Sequence, residues 1–79
     1  MSTVTLYTRP GCHLCDDARA AIERVRERTS FSVVEIDIES DDALHSAYLE
    51  RIPVVEVDGH ELFEHFVDEA MLAARISRE

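Results

Sequence analysis

Apolar and polar positions change rhythm several times along the chain. Thr3-Val4-Thr5-Leu6-Tyr7-Thr8 is rich in β-branched and aromatic residues and reads as a short strand. Arg9-Pro10-Gly11 then places two breakers together and ends it. From Leu14 the apolar positions move to helical spacing, through Ala18, Ala21, Ile22 and Val25, with Arg and Glu on the other side. That predicts a helix over about 13–28. Phe31 to Ile38 reads as a second strand, with Val34, Ile36 and Ile38 on one face and Glu35, Asp37 and Glu39 on a wet one. Ser40-Asp41-Asp42 supplies an N-cap and early acids for a short helix over about 41–49. Ile52 to Val57 is a third strand with proline at its entrance, where a missing N–H is tolerated. Asp58-Gly59 is the favoured two-residue hairpin turn, and His60 to Phe63 returns. Val67, Ala70, Met71 and Ala74 predict a last helix over about 66–77.

The order is therefore β-α-β-α-β-β-α. Strands separated by helices point to parallel pairing, and the tight turn makes the last pair antiparallel. The fold class is α/β: a four-stranded mixed sheet covered by three helices. With 79 residues the chain is one domain, 1–79, near the lower limit for an unassisted core. No repeat or low-complexity tract interrupts it.

Charge narrows the partners. Seventeen acids against eight bases give −9, which disfavours nucleic acid and anionic membrane surfaces. No basic-then-apolar leader opens the chain and no apolar run is long enough to span a membrane. A cytoplasmic location is the expectation. A lone cysteine pair also fits a reducing compartment better than a disulfide-stapled secreted domain.

The chemistry lies in Cys12-His13-Leu14-Cys15, between the first strand and the first helix. A bond between residues three apart closes almost no loop, so stapling is a poor reason for the pair. Two intervening residues in a helical turn bring the β-carbons within bridging range. Cys12 would sit at the helix mouth, where free N–H groups and the dipole favour a thiolate. Cys15, a turn further in, would resolve the mixed disulfide that Cys12 forms. Asp16 opposes a negative sulfur by roughly 0.6 kcal/mol at about 7 Å in water. That nearly cancels the roughly 0.3–1 kcal/mol from the helix terminus, so a reductant rather than a strong oxidant is expected. The same cysteines, drawn from two subunits, could instead hold zinc or an iron–sulfur cluster, or the pair could belong to an interaction module without turnover. His13, His45, His60 and His65 supply no second ligand pair at zinc spacing. Phe63, Phe66, Met71 and Leu72 read as core or as the rim of the site, and the acids over 35–42 as a solvated face.

Leu6-Tyr7-Thr8-Arg9-Pro10-Gly11-Cys12-His13-Leu14-Cys15 resembles the active-site segment of glutaredoxins. Arg51-Ile52-Pro53-Val54-Val55 with Asp58-Gly59 resembles their cis-proline strand and hairpin. The longer run through Asp16 is similar to small bacterial glutaredoxin-like proteins. The resemblance implies a minimal thioredoxin fold and thiol–disulfide oxidoreductase activity, with Cys12 as nucleophile and Cys15 as resolving thiol. It implies a cis Pro53 that turns the Ile52 N–H and C=O towards a substrate strand. Tyr7, Arg9, His13, Ile52 and Pro53 are the expected substrate-binding residues, with His13 a solvent-facing tuner of the Cys12 sulfur. No tightly bound cofactor and no metal follow from it. The expected partners are a disulfide-bearing protein or small thiol and a recycling reductase, with the chain a monomer. One departure bears on the co-substrate. The stretch before the last helix, Phe63 to Asp68, has no glycine pair, and Glu64 would repel a glutathione carboxylate. Glutathione and a protein disulfide thus both stand open as substrates.

Overall fold

The computed structural model describes residues 2–77. Strand β1 (Thr3–Thr8) alternates half-buried and buried side chains along its length. It leads into α1 (His13–Arg26), β2 (Ser32–Asp37), a 3-10 turn (Ile38–Ser40), α2 (Asp42–Tyr48), β3 (Val54–Val57), β4 (His60–Glu64) and α3 (Glu69–Ser77). The sheet order is β2-β1-β3-β4. The α/β class and the element order are those the sequence predicts, with the 3-10 turn added.

Two apolar clusters hold the layers together. On one face Val4 and Leu6 of β1 and Val55 and Val57 of β3 meet Ala18, Ile22 and Val25 of α1 and Leu72 and Ile76 of α3. Phe31 closes that cluster, and an Arg24–Glu69 ion pair of 2.8 Å ties the two helices at the surface. The second cluster is smaller: Cys15, Ile38 and Ile52, flanked by Tyr7, Cys12, Leu44 and Tyr48. It sits where the C-terminal end of β1, the mouth of α1 and α2 converge. Among the described residues no helix is long and apolar enough to cross a membrane.

Four expectations need correction. β1 pairs parallel with β2 but antiparallel with β3. A parallel return needs an element spanning the sheet, and α2 has seven residues, roughly 10 Å. The chain therefore re-enters at the end it left. β2 follows the predicted facing only in part. Ile38 is buried, Ile36 half-buried, and Glu35, Asp37 and Glu39 are exposed as expected, but Val34 is exposed and Val33, paired with core-facing Val4, packs on the α1 side instead. Leu14 is half exposed, and Cys15 takes its place in the buried stripe with Ala18, Ile22 and Val25. Finally, α3 starts at Glu69. His65 adopts a left-handed φ of 69°, and the Asp68 carboxylate accepts from the Met71 N–H at 3.1 Å. That side chain satisfies an amide the new helix leaves orphaned.

Candidate active site

Three chain segments meet at one end of the sheet. The first runs from Thr8 through Pro10 and Gly11, whose φ of 77° is a conformation that side-chain-bearing residues seldom adopt. It delivers Cys12 to the N-cap position of α1. The Cys12 backbone is extended, and its sulfur accepts from the Cys15 N–H at 3.1 Å. The thiol thus fills the role that a serine or aspartate oxygen plays at other helix starts. A negative charge on this sulfur is stabilised by that amide and by the first-turn N–H groups around it.

The two sulfurs are unequal. Cys12 is partly open to solvent, whereas Cys15 is 1% exposed, and both are free thiols. Burial pushes the Cys15 thiol up to about 12, with a smaller contribution from its hydrogen bond to Cys12. The Arg9 backbone amide works against that rise. At neutral pH Cys15 therefore carries a proton and offers it to Cys12. Asp16, expected as a free charge opposing the thiolate, is held by Arg19 at 2.8 Å. Arg19 also grips Glu35 through two hydrogen bonds of 2.7 and 2.9 Å.

The second segment is the approach to β3. The Ile52–Pro53 peptide bond is cis, and Pro53 is buried. Ile52 packs in the cluster that contains both cysteines. Its N–H, expected to face a substrate strand, donates to the Tyr48 carbonyl at 3.0 Å. The reason is local: the chain leaves α2 in a tight turn, and the Arg51 and Ile52 amides both bond back to Tyr48.

Tyr7 and Tyr48 stack with ring centroids 4.5 Å apart, and the Arg51 guanidinium lies 5.2 Å over Tyr48. The Tyr7 hydroxyl donates to Glu56 at 3.2 Å. Burial first, and then the Glu56 charge, raise this phenol to about 12. Tyr7 is thus a neutral wall of the site. The third segment follows β4, where the His65 N–H donates to the Pro53 carbonyl at 2.8 Å. The His65 ring nitrogen Nε2 lies 3.0 Å from the Glu50 carbonyl, clamping this loop to the end of α2.

Of the residues singled out in the sequence, Cys12, Cys15, Tyr7 and Ile52 come together, with Pro53 beside them. Arg9 does not join them. It pairs with Glu39 at 3.2 Å and lines a cleft of about 150 Å³ on the β2 side with Thr8, Arg19 and Glu35. His13 is the exposed first residue of α1. Tyr48, Leu44 and Glu56 belong to the site surroundings and were not singled out as such. The helical spacing of Leu44 and Tyr48 was the available signal. No group of three or more His, Cys, Asp or Glu side chains that could hold a metal ion occurs among the described residues.

Residues 3–77 match the model of a family described as Glutaredoxin-like domain (DUF836). A Dictyostelium discoideum protein named glutaredoxin-like protein YDR286C homolog is 31% identical over 77 residues, covering 87% of this chain and 69% of that protein. Among solved structures, protein XcR50 from X. campestris is 36% identical at a TM-score of 0.78, covering 96% of this chain and 97% of its own. A mutant thioredoxin from Halobacterium salinarum is 26% identical at a TM-score of 0.70, covering 98% and 73%.

Proposed function

Because the chain belongs to the glutaredoxin-like domain family (DUF836), whose fold it shares with thioredoxins, we propose that it is a thiol–disulfide oxidoreductase. The observation that carries this reading is the asymmetry of the pair: a partly open Cys12 capping α1 above a buried, protonated Cys15. Such a pair can do two things in order. The Cys12 thiolate attacks one sulfur of a substrate disulfide, forms a mixed disulfide and releases the other sulfur as a thiolate. Cys15 then loses its proton to that departing thiolate or to solvent and attacks the Cys12 sulfur. The second substrate thiolate leaves, and the Cys12–Cys15 bond holds the oxidising equivalents. Two electrons pass from the dithiol to the substrate. A thiol or dithiol reductant must return them, and a reducing compartment such as the cytosol suits a pair resting as thiols.

Tyr7, Ile52 and Pro53 shape the approach to Cys12 in this reading. Cys12→Ser abolishes reduction of 2-hydroxyethyl disulfide by the protein with dithiothreitol as donor. Cys15→Ser keeps the first attack and accumulates the mixed disulfide, visible as an added mass on the intact chain. Turnover by the Cys12→Ser protein would overturn the reading.

A further inference from the structure

We propose that the preferred substrate is a disulfide in a protein segment with positive charge and an apolar side chain beside the cystine, and not a small acidic disulfide of the glutathione class; this rests on the exchange reading above. The first reason is that the arginines on the segments that carry the site are already engaged. Arg9 is paired with Glu39, and Arg19 with Asp16 and Glu35. Arg51 reaches both Glu61 and Glu64 while lying over Tyr48. A carboxylate arriving at Cys12 would have to break one of these pairs and then face the displaced acid. A chain of net charge −9 attracts a cationic segment instead.

The second reason is what the site turns outwards. Leu14, between the two cysteines, is 50% exposed, and Phe66 is 71% exposed. Phe66 directly follows His65, whose N–H holds the Pro53 carbonyl. Both are exposed apolar side chains carried by segments that build the site, Leu14 between the two cysteines and Phe66 next to the residue that holds Pro53. An apolar substrate side chain laid on either is removed from water together with it. The third reason is that the Ile52 N–H is engaged with Tyr48. Recognition by strand addition loses one backbone donor, and side-chain contacts must carry more of it.

The chemical step is the one balanced above, followed for a single turnover from the reduced dithiol with no added reductant. The test uses the full chain, reduced and desalted, and follows loss of its dithiol by acid quench and mass spectrometry. Four disulfides are compared: neutral 2-hydroxyethyl disulfide, glutathione disulfide, the disulfide dimer of an Arg-Phe-Cys-Arg peptide, and the same dimer with Glu for Arg. The Arg peptide should react about tenfold faster than the Glu peptide and glutathione disulfide at low salt, with the gap closing at high salt. Phe66→Ser should slow the Arg peptide about threefold. Glu39→Gln, which releases Arg9, should speed glutathione disulfide. Equal or faster reaction of glutathione disulfide or the Glu peptide, with the neutral disulfide reduced, would overturn the substrate class and leave the exchange reading standing. No reaction with the neutral disulfide would overturn both.

Discussion

Two side chains of the site, Cys15 and Tyr7, hold their protons more tightly in the folded chain than outside it. Their thresholds are about 12 in place of ordinary values of 9.0 and 10.0. The folded state therefore binds these protons more strongly than the unfolded chain. The stability they contribute is complete below about pH 9 and is lost as pH rises towards 12. Urea titrations of the reduced protein should show falling midpoints across that window, and Tyr7→Phe should flatten the part above pH 10. The same burial predicts one-sided labelling. Iodoacetamide at pH 7 should modify Cys12 and spare Cys15, and equal labelling of both thiols would contradict the burial that separates them. The pair itself was legible in the sequence, since its spacing and place after a strand are local facts. The engagement of Arg9 by Glu39 and of the Ile52 amide by Tyr48 was not. Neither partner is marked by any motif, and only the folded path of the chain brings Glu39 to Arg9.

Helix ends do most of the positioning at the next scale. The Asp41 carboxylate accepts from the Ala43 N–H at 2.8 Å and the Leu44 N–H at 3.3 Å, so it fixes the start of α2 and with it Leu44 and Tyr48 against the cysteines. Asp41→Ala should cost about 1 kcal/mol and lower the melting temperature by about 4–8 °C for a domain of this size. An unchanged melting temperature would show that packing alone holds α2. Element type was readable nearly throughout, because β1 alternates and α1 carries a continuous stripe. Facing was harder. Val33 and Val34 are adjacent and equally apolar, so periodicity cannot say which one points at α1; the pairing of Val33 with Val4 decides it. The start of α3 was blurred for a related reason. Phe66 and Val67 extend the apolar pattern backwards, but the left-handed His65 and the Asp68 cap set the boundary.

Across the whole molecule, charge is organised rather than spread. Arg19 bridges α1 to β2 through Glu35 and lowers that carboxyl below its ordinary 4.5. A lowered carboxyl stabilises the fold above its ordinary value and stops doing so as pH falls through the folded one. Stability should therefore decline below about pH 4.5, and Arg19→Gln should shallow that decline in circular-dichroism titrations. The two outer strands are β2 and β4, and each offers a row of backbone groups to any passing strand. Their acids are largely matched by arginine, Glu35 by Arg19 and Glu61 and Glu64 by Arg51, so what keeps copies apart is the net charge of −9 on the whole chain. Salt screens that repulsion, so concentrated salt should bring copies together rim to rim, seen as scattered light with the helix signal intact.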